Sequence, residues 1–207
     1  MTVAVAVVVL GAIALLGCGG GADSERAGVM SPPTDLQGAI ASLVVAVPND
    51  GAGYTRSRFG GFVDADRNGC DTPCEVLARQ RRGDLPGLAG GGWWSAYDAY
   101  STDDSTELEV DHVVALKEAW VSGADRWDGA TRRAFYNDLT SPELLAVTAP
   151  MNRSKGDRDP AIWQPPNRDA WCEYVRSWVA VKVKWRLTAD EAEIRALSNM
   201  AAVTRCE

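Results

Sequence analysis

The sequence predicts an α+β fold, and three observations predict it. Trp171, Tyr174, Trp178, Val181 and Trp185 recur at three- and four-residue steps, the period of a helix face turned to a core. Two short runs, Glu107 to Val114 and Leu144 to Thr148, have the alternation and compactness of strands instead. With 46 % hydrophobic residues and eight tryptophans among 207, the chain can bury these elements in one core.

The N-terminal elements come first. Residues 1–17 carry no charged side chain and are too few for a spanning helix, which needs roughly 20 apolar residues, so they read as an export signal. The run ends in Leu15-Leu16-Gly17-Cys18, similar to the lipobox of bacterial lipoproteins, where Cys18 would be lipidated. No Lys or Arg precedes the run, and a plain secretory signal or a buried helix competes with this reading. Residues 18–35, rich in Gly, Ser, Asp and Pro, read as a flexible linker, leaving 36–207 as the folded domain. The implied location is the outer face of the cytoplasmic membrane, or the medium, with any membrane contact made by lipid alone.

Leu36 to Val47 predicts a first helix that stops before Pro48. Gly51 to Gly69 predicts loops or short strands, Glu75 to Arg82 a helix, and Gly83 to Gly92 a loop leading into Trp93 and Trp94. After the first strand, Leu116 to Val121 and Ala130 to Asp138 predict helical turns, and Asn152 to Asp159 a short helix stopped by Pro160. Asn167 is placed to cap the tryptophan helix. Thr188-Ala189-Asp190-Glu191 reads as a capping box for a last helix bearing Ile194 and Leu197.

Composition narrows the function classes. A formal net charge of −7 argues against a module that binds nucleic acid by charge alone, but not against an enzyme with a local basic patch. Five cysteines fit export if Cys18 carries lipid, leaving Cys70, Cys74, Cys172 and Cys206. Three pairings are open; Cys172 with Cys206 and Cys70 with Cys74 are favoured over a zinc site, for which no second close pair is present.

The single histidine, His112, follows an aspartate in Glu109-Val110-Asp111-His112-Val113-Val114. A neutral imidazole suits a general base near neutral pH, and any imidazole base must be this one. Forty positions on stands Asn152-Arg153-Ser154-Lys155-Gly156-Asp157. On a helix Asn152 and Lys155 share a face. Asn152 and Asp111 offer hard oxygens suited to magnesium or manganese, while Lys155 and Arg153 bring positive charge for a phosphate. Adjacent strand residues point to opposite faces, so Asp111 and His112 can serve one site only where the strand bends or ends.

Taken together, Asp111-His112-Val113-Val114, the strand Leu144 to Thr148 and Asn152 to Asp157 resemble the ββα-metal motif of HNH endonucleases. The flanking Tyr54-x-Arg56-x-x-Phe59-Gly60, Asp64-x-Asp66-x-Asn68-Gly69-Cys70-Asp71-Thr72, Glu75-Val76-Leu77, Lys117-Glu118-Ala119-Trp120 and Asp159-Pro160-Ala161 resemble secreted bacterial HNH-family proteins. Their domain is similar to the C-terminal nuclease domain of GmrSD-type restriction enzymes. The resemblance covers about residues 50 to 187. It implies an HNH-type endonuclease with His112 as base, Asp111 and Asn152 as metal ligands and Lys155 as the following basic residue. DNA is the expected substrate, with low sequence specificity, and a monomer the default state. The motif's middle asparagine position holds Glu143 here, with Asn137 as an alternative support for the histidine's loop. Pro73-Cys74 stands where relatives tend to have Arg-Asn, and no cysteine lies near Trp93.

One further motif stands apart. Asp64, Asp66 and Asn68, with Gly69 and then Glu75, match a calcium-loop pattern, so calcium is a second candidate cofactor. With Glu143 and Pro73-Cys74 it supports the competing expectation, a catalytically weakened, calcium-stabilised extracellular interaction module.

Overall fold

The structure, a computed structural model, describes residues 35–206. The expected signal, Cys18 and all of the expected linker except Asp35 lie outside the described residues. Among the described residues no helix is long and apolar enough to cross a membrane.

Asp35 opens α1 (Leu36–Ala41) by accepting from the Gly38 N–H at 2.6 Å. The helix is shorter than predicted. Ser42 closes it, and the β-branched stretch after it leaves the helix to form a parallel bridge between Val45 and Ala189. A turn of 3₁₀ helix, Arg56–Phe59, follows, held by the fully buried Phe59 ring. α2 (Thr72–Gln80) starts earlier than Glu75, because Asp71 caps it and Pro73 is harmless in a first turn.

A β-hairpin that the sequence does not announce comes next: β1 (Trp93–Ser95) pairs antiparallel with β2 (Tyr100–Thr102). Its turn places Ala99 at φ 56°, a conformation that glycine or asparagine normally signals. Gly92, at its root, lies so close to the Thr102 carbonyl that a Cβ there would collide with it.

The central hairpin matches the expected strands. β3 (Leu108–His112) pairs antiparallel with β4 (Leu144–Thr148), in the register Leu108 to Thr148 and His112 to Leu144. The excursion between them carries α3 (Leu116–Val121) and α4 (Gly129–Tyr136). α5 (Ala149–Lys155) begins directly after β4, with Thr148 as its N-cap, and ends at Gly156, φ 58°. The expected start at Asn152 and stop at Pro160 are therefore both corrected. Only glycine enters that left-handed region readily, so the helix closes there.

α6 (Trp171–Trp185) carries the tryptophan stripe, and Trp178 and Val181 are fully buried on it. Asn167 caps the 3₁₀ turn Arg168–Ala170 that precedes α6, not α6 itself. α7 (Glu191–Thr204) is capped by Asp190, which accepts from the Glu193 N–H at 2.8 Å. Thr188 is not the cap; its hydroxyl donates to the Ser122 carbonyl instead. The favoured disulfides are present, Cys70–Cys74 and Cys172–Cys206, with Cα separations of 5.2 and 5.4 Å. The second ties the start of α6 to the end of α7. α1, α3, α4, α6 and α7 share one large core, and a smaller apolar cluster of Val76, Leu108, Leu144 and Ala146 joins α2 to the β3–β4 hairpin.

Candidate active site

The site grows from the end of β3 and the start of α5. β3 stops at His112, so the alternation that would have sent Asp111 and His112 to opposite faces is released there. Glu143 holds the departing chain. Its carbonyl accepts from the Val113 N–H at 2.7 Å, and its Oε2 from the Val114 N–H at 3.3 Å. The Glu143 side chain is fully buried, with no partner on Oε1. Burial pushes its carboxyl well above the ordinary range, and its Oε2 presents an acceptor oxygen where the motif has an asparagine amide. Asn137, the alternative support, is elsewhere: it accepts from Val63 and Thr72 and donates to Gly61 and Arg133.

His112 is buried among aromatic rings, stacked on Phe62 with ring centroids 6.0 Å apart and tilted against Tyr136 at 4.7 Å. Its Nε2 lies 3.0 Å from the Tyr136 carbonyl oxygen. A carbonyl can only accept, so Nε2 carries the proton and Nδ1 the lone pair. Burial, opposed by that hydrogen bond and aided by the nearby Arg56 and Lys155 cations, pushes the imidazole pKa down to about 3. The ring is therefore neutral across the physiological range.

Asp111 faces two donors. Its Oδ1 accepts from Lys155 Nζ and its Oδ2 from the Tyr97 hydroxyl, both at 2.8 Å. Burial raises its pKa, and the Lys155 ammonium opposes that rise. Lys155 is fully buried and also donates to the His112 carbonyl at 2.8 Å. It is thus a counter-ion that orients the Asp-His pair, not the phosphate-facing cation the sequence suggested.

Glu109, two residues before Asp111, organises the helix side. It accepts from the Asn152 side-chain nitrogen at 2.9 Å and from Arg153 Nε and Nη2 at 3.1 and 2.6 Å. Because the Asn152 nitrogen is committed to a carboxylate, its Oδ1 is identified as the oxygen left to act as a ligand. Arg153, like Lys155, spends its charge on an acid, although it remains largely exposed.

These groups line a cavity of about 240 Å³ walled by Asp111, His112, Asn152, Arg153, Arg56 and Lys117. Lys155 is not on its wall. Asp111 and Asn152 are the residues there that could hold a divalent ion, since Asp157, also on the wall, is engaged by Lys117 at 2.8 Å. Among the described residues no three His, Cys, Asp or Glu side chains converge as zinc would require. Two hard oxygen donors suit magnesium, which keeps several waters and takes oxygens from a phosphate. Asp64, Asp66, Asn68 and Glu75 do not join this site. Asp64 and Asp66 accept from the Asn68 and Gly69 N–H groups, and the Asn68 side chain donates to Asp66 and Glu75.

Sequence reasoning missed four residues. Glu109 was legible, since positions two apart share a strand face. Tyr97 was hidden with its unrecognised hairpin. Tyr136 acts through its carbonyl, which any residue type could supply. Arg56 carries no signal of its own beyond the resemblance of Tyr54-x-Arg56-x-x-Phe59-Gly60.

A two-stranded hairpin running straight into a helix, with an Asp-His pair at the first strand's end and an asparagine on the helix, defines a protein of the ββα nuclease class. The chain belongs to the family described as GmrSD restriction endonucleases, C-terminal domain, whose model matches residues 93–200. It is also 35 % identical over 182 residues to an uncharacterized secreted protein of Arthroderma benhamiae, covering 83 % of this chain and 88 % of that one. This relative is fungal, so the likeness to secreted proteins is not confined to bacteria. No solved structure matches. A secreted relative and two disulfides are consistent with export.

Proposed function

We propose that the protein is a metal-dependent HNH-type endonuclease, hydrolysing phosphodiester bonds of DNA with little sequence preference, and that it is exported and held to the membrane by lipid on Cys18. The observation carrying this reading is the fixed tautomer of His112 in one cavity with Asp111 and the free Oδ1 of Asn152. His112 Nδ1 takes a proton from the attacking water once the phosphate's negative charge in the cavity offsets the burial that otherwise holds the ring's pKa at about 3, and the Tyr136 carbonyl favours the ring as it gains charge. Asp111 and Asn152 would hold magnesium or manganese, which supplies charge neutralisation at the phosphate and at the leaving oxygen. Lys155 and Tyr97 hold Asp111, and Glu109 holds Asn152, so these donors need no rearrangement. A cation on the wall suits phosphate, which every sequence presents alike, and this fits low sequence preference.

Plasmid cleavage by the purified protein, with and without magnesium or manganese, tests the reading beside His112→Ala. The expected result is metal-dependent nicking that the variant loses by about 100-fold or more. Absence of metal-dependent cleavage, or equal cleavage by both proteins, would end it and favour the calcium-stabilised interaction module.

A further inference from the structure

Charge pairing on the cavity wall singles out one residue. Lys117 is bound to Asp157 at 2.8 Å, and Arg153 to Glu109 at 2.6 Å. Arg56 also lines the cavity, yet among the described residues its close contacts are aromatic and neutral, and its charge acts on Asp111 only at longer range than an ion pair. Its Nη2 donates to the Tyr136 hydroxyl at 3.0 Å, and its guanidinium sits 5.4 Å from the centre of the Tyr136 ring. A cation on a cavity wall that no carboxylate pairs with directly still presents its charge to an incoming anion. Among the described residues only its Nη2 is seen to donate, to Tyr136, which leaves donors of the planar fork that matches two phosphate oxygens.

The residue is also well placed. It begins the 3₁₀ turn whose Phe59 is fully buried against Phe135 and Trp120, so an exposed side chain stands on a packed base. Tyr136 contributes twice: its carbonyl accepts from His112 Nε2, and its hydroxyl accepts from Arg56. One buried residue on α4 therefore sets the distance between the base and the free cation. Arg56 lies outside residues 93–200, the part matched by the family model.

We propose that Arg56 grips the scissile phosphodiester, supplied by the segment that precedes the family core, and that Tyr136 keeps it in register with His112. This deepens the nuclease reading and rests on it for the identity of the phosphate. The guanidinium donates to the two non-bridging oxygens and stays bound as negative charge grows on them. It forms no covalent bond and moves no proton.

The test compares the parent with Arg56→Ala, Arg56→Lys and Tyr136→Phe in two assays. In cleavage with magnesium, Arg56→Ala is expected to lose about 100-fold in kcat, Arg56→Lys to recover only part, and Tyr136→Phe to fall between parent and Arg56→Ala. Binding of a short DNA duplex in a chelator is read by fluorescence anisotropy against salt. There Arg56→Ala should weaken binding and reduce the salt slope by about one, which a purely structural residue would not do. Equal melting temperatures for parent and Arg56→Ala are expected, because the side chain is exposed. Arg56→Ala within threefold of the parent in kcat, or with an unchanged salt slope, overturns the clamp while leaving His112-dependent cleavage standing. If the parent itself does not cleave, the nuclease reading fails, and the binding assay still decides whether Arg56 holds phosphate.

Discussion

Lys155 and Lys182 are both sealed from solvent, and both carry their charge to carboxylates, yet they do different things. Lys182, on α6, donates to Glu118 at 2.8 Å, to Glu193 at 2.7 Å and to the Thr188 carbonyl at 2.7 Å. Trp178 completes the cluster by donating to Glu193. Its acids come from α3 and α7, so it joins three helices. Lys155 meets a single carboxylate, Asp111, which also lines the cavity. A buried ion pair is weak evidence for stability in itself. What separates the two is whether the partner acid has anything left to offer, and Asp111 does.

Removing each ammonium tests that difference most strongly. Lys182→Met leaves two acids buried without a cation and should cost about 3–5 kcal/mol in urea unfolding. Lys155→Met should cost clearly less, because Asp111 keeps Tyr97 and reaches the cavity, but it should lower cleavage sharply. Equal losses of stability would break the contrast.

The disulfides sharpen it next. Cys172–Cys206 braces the helical layer across a sequence separation of 34, and Cys70–Cys74 closes only 4 on the side of α2. Loop entropy then assigns the first about 4 kcal/mol and the second about 2. Serine pairs at each, followed by melting and cleavage assays, should show the larger loss of stability at Cys172 and Cys206, with activity per folded molecule little changed.

The third test is a pH slope. Burial first, opposed by Lys182, raises the Glu193 pKa from 4.5 to about 7. The folded chain therefore holds a proton that the unfolded chain releases above pH 4.5, and stability from this group falls as pH rises through 7. At about 1.4 kcal/mol per pKa unit the loss is roughly 3 kcal/mol by pH 8. Glu193→Gln should flatten that decline in urea unfolding measured from pH 5 to 8. An unchanged slope would place the cost of the cluster elsewhere.

Much of this was legible in the chain. The strand pair and the tryptophan helix follow from hydrophobic period, and α+β architecture follows from them. The Asp-His pair and Asn152 are visible because their side chains do the work. What stayed hidden depends on backbone or on distant partners. The β1–β2 hairpin turns through Ala99 without a glycine, so Tyr97 could not be placed beside Asp111. Lys155 reads as an exposed helix cation until the hairpin folds beneath it. Glu143 reads as a defect until its buried oxygens are seen to accept from Val113 and Val114, as an amide oxygen could.

Thr148 ends β4 and caps α5 with nothing between them. The excursion that separates the two halves of the site can lengthen or shorten over evolutionary time, because its ends are pinned by the hairpin. The joint at Thr148 and Ala149 has no such freedom. One residue inserted there would turn the helix by about 100°, carrying Asn152 away from Glu109 while leaving every strand pair intact. In homologous chains, length variation should therefore collect in the loops of the excursion and stop at this seam.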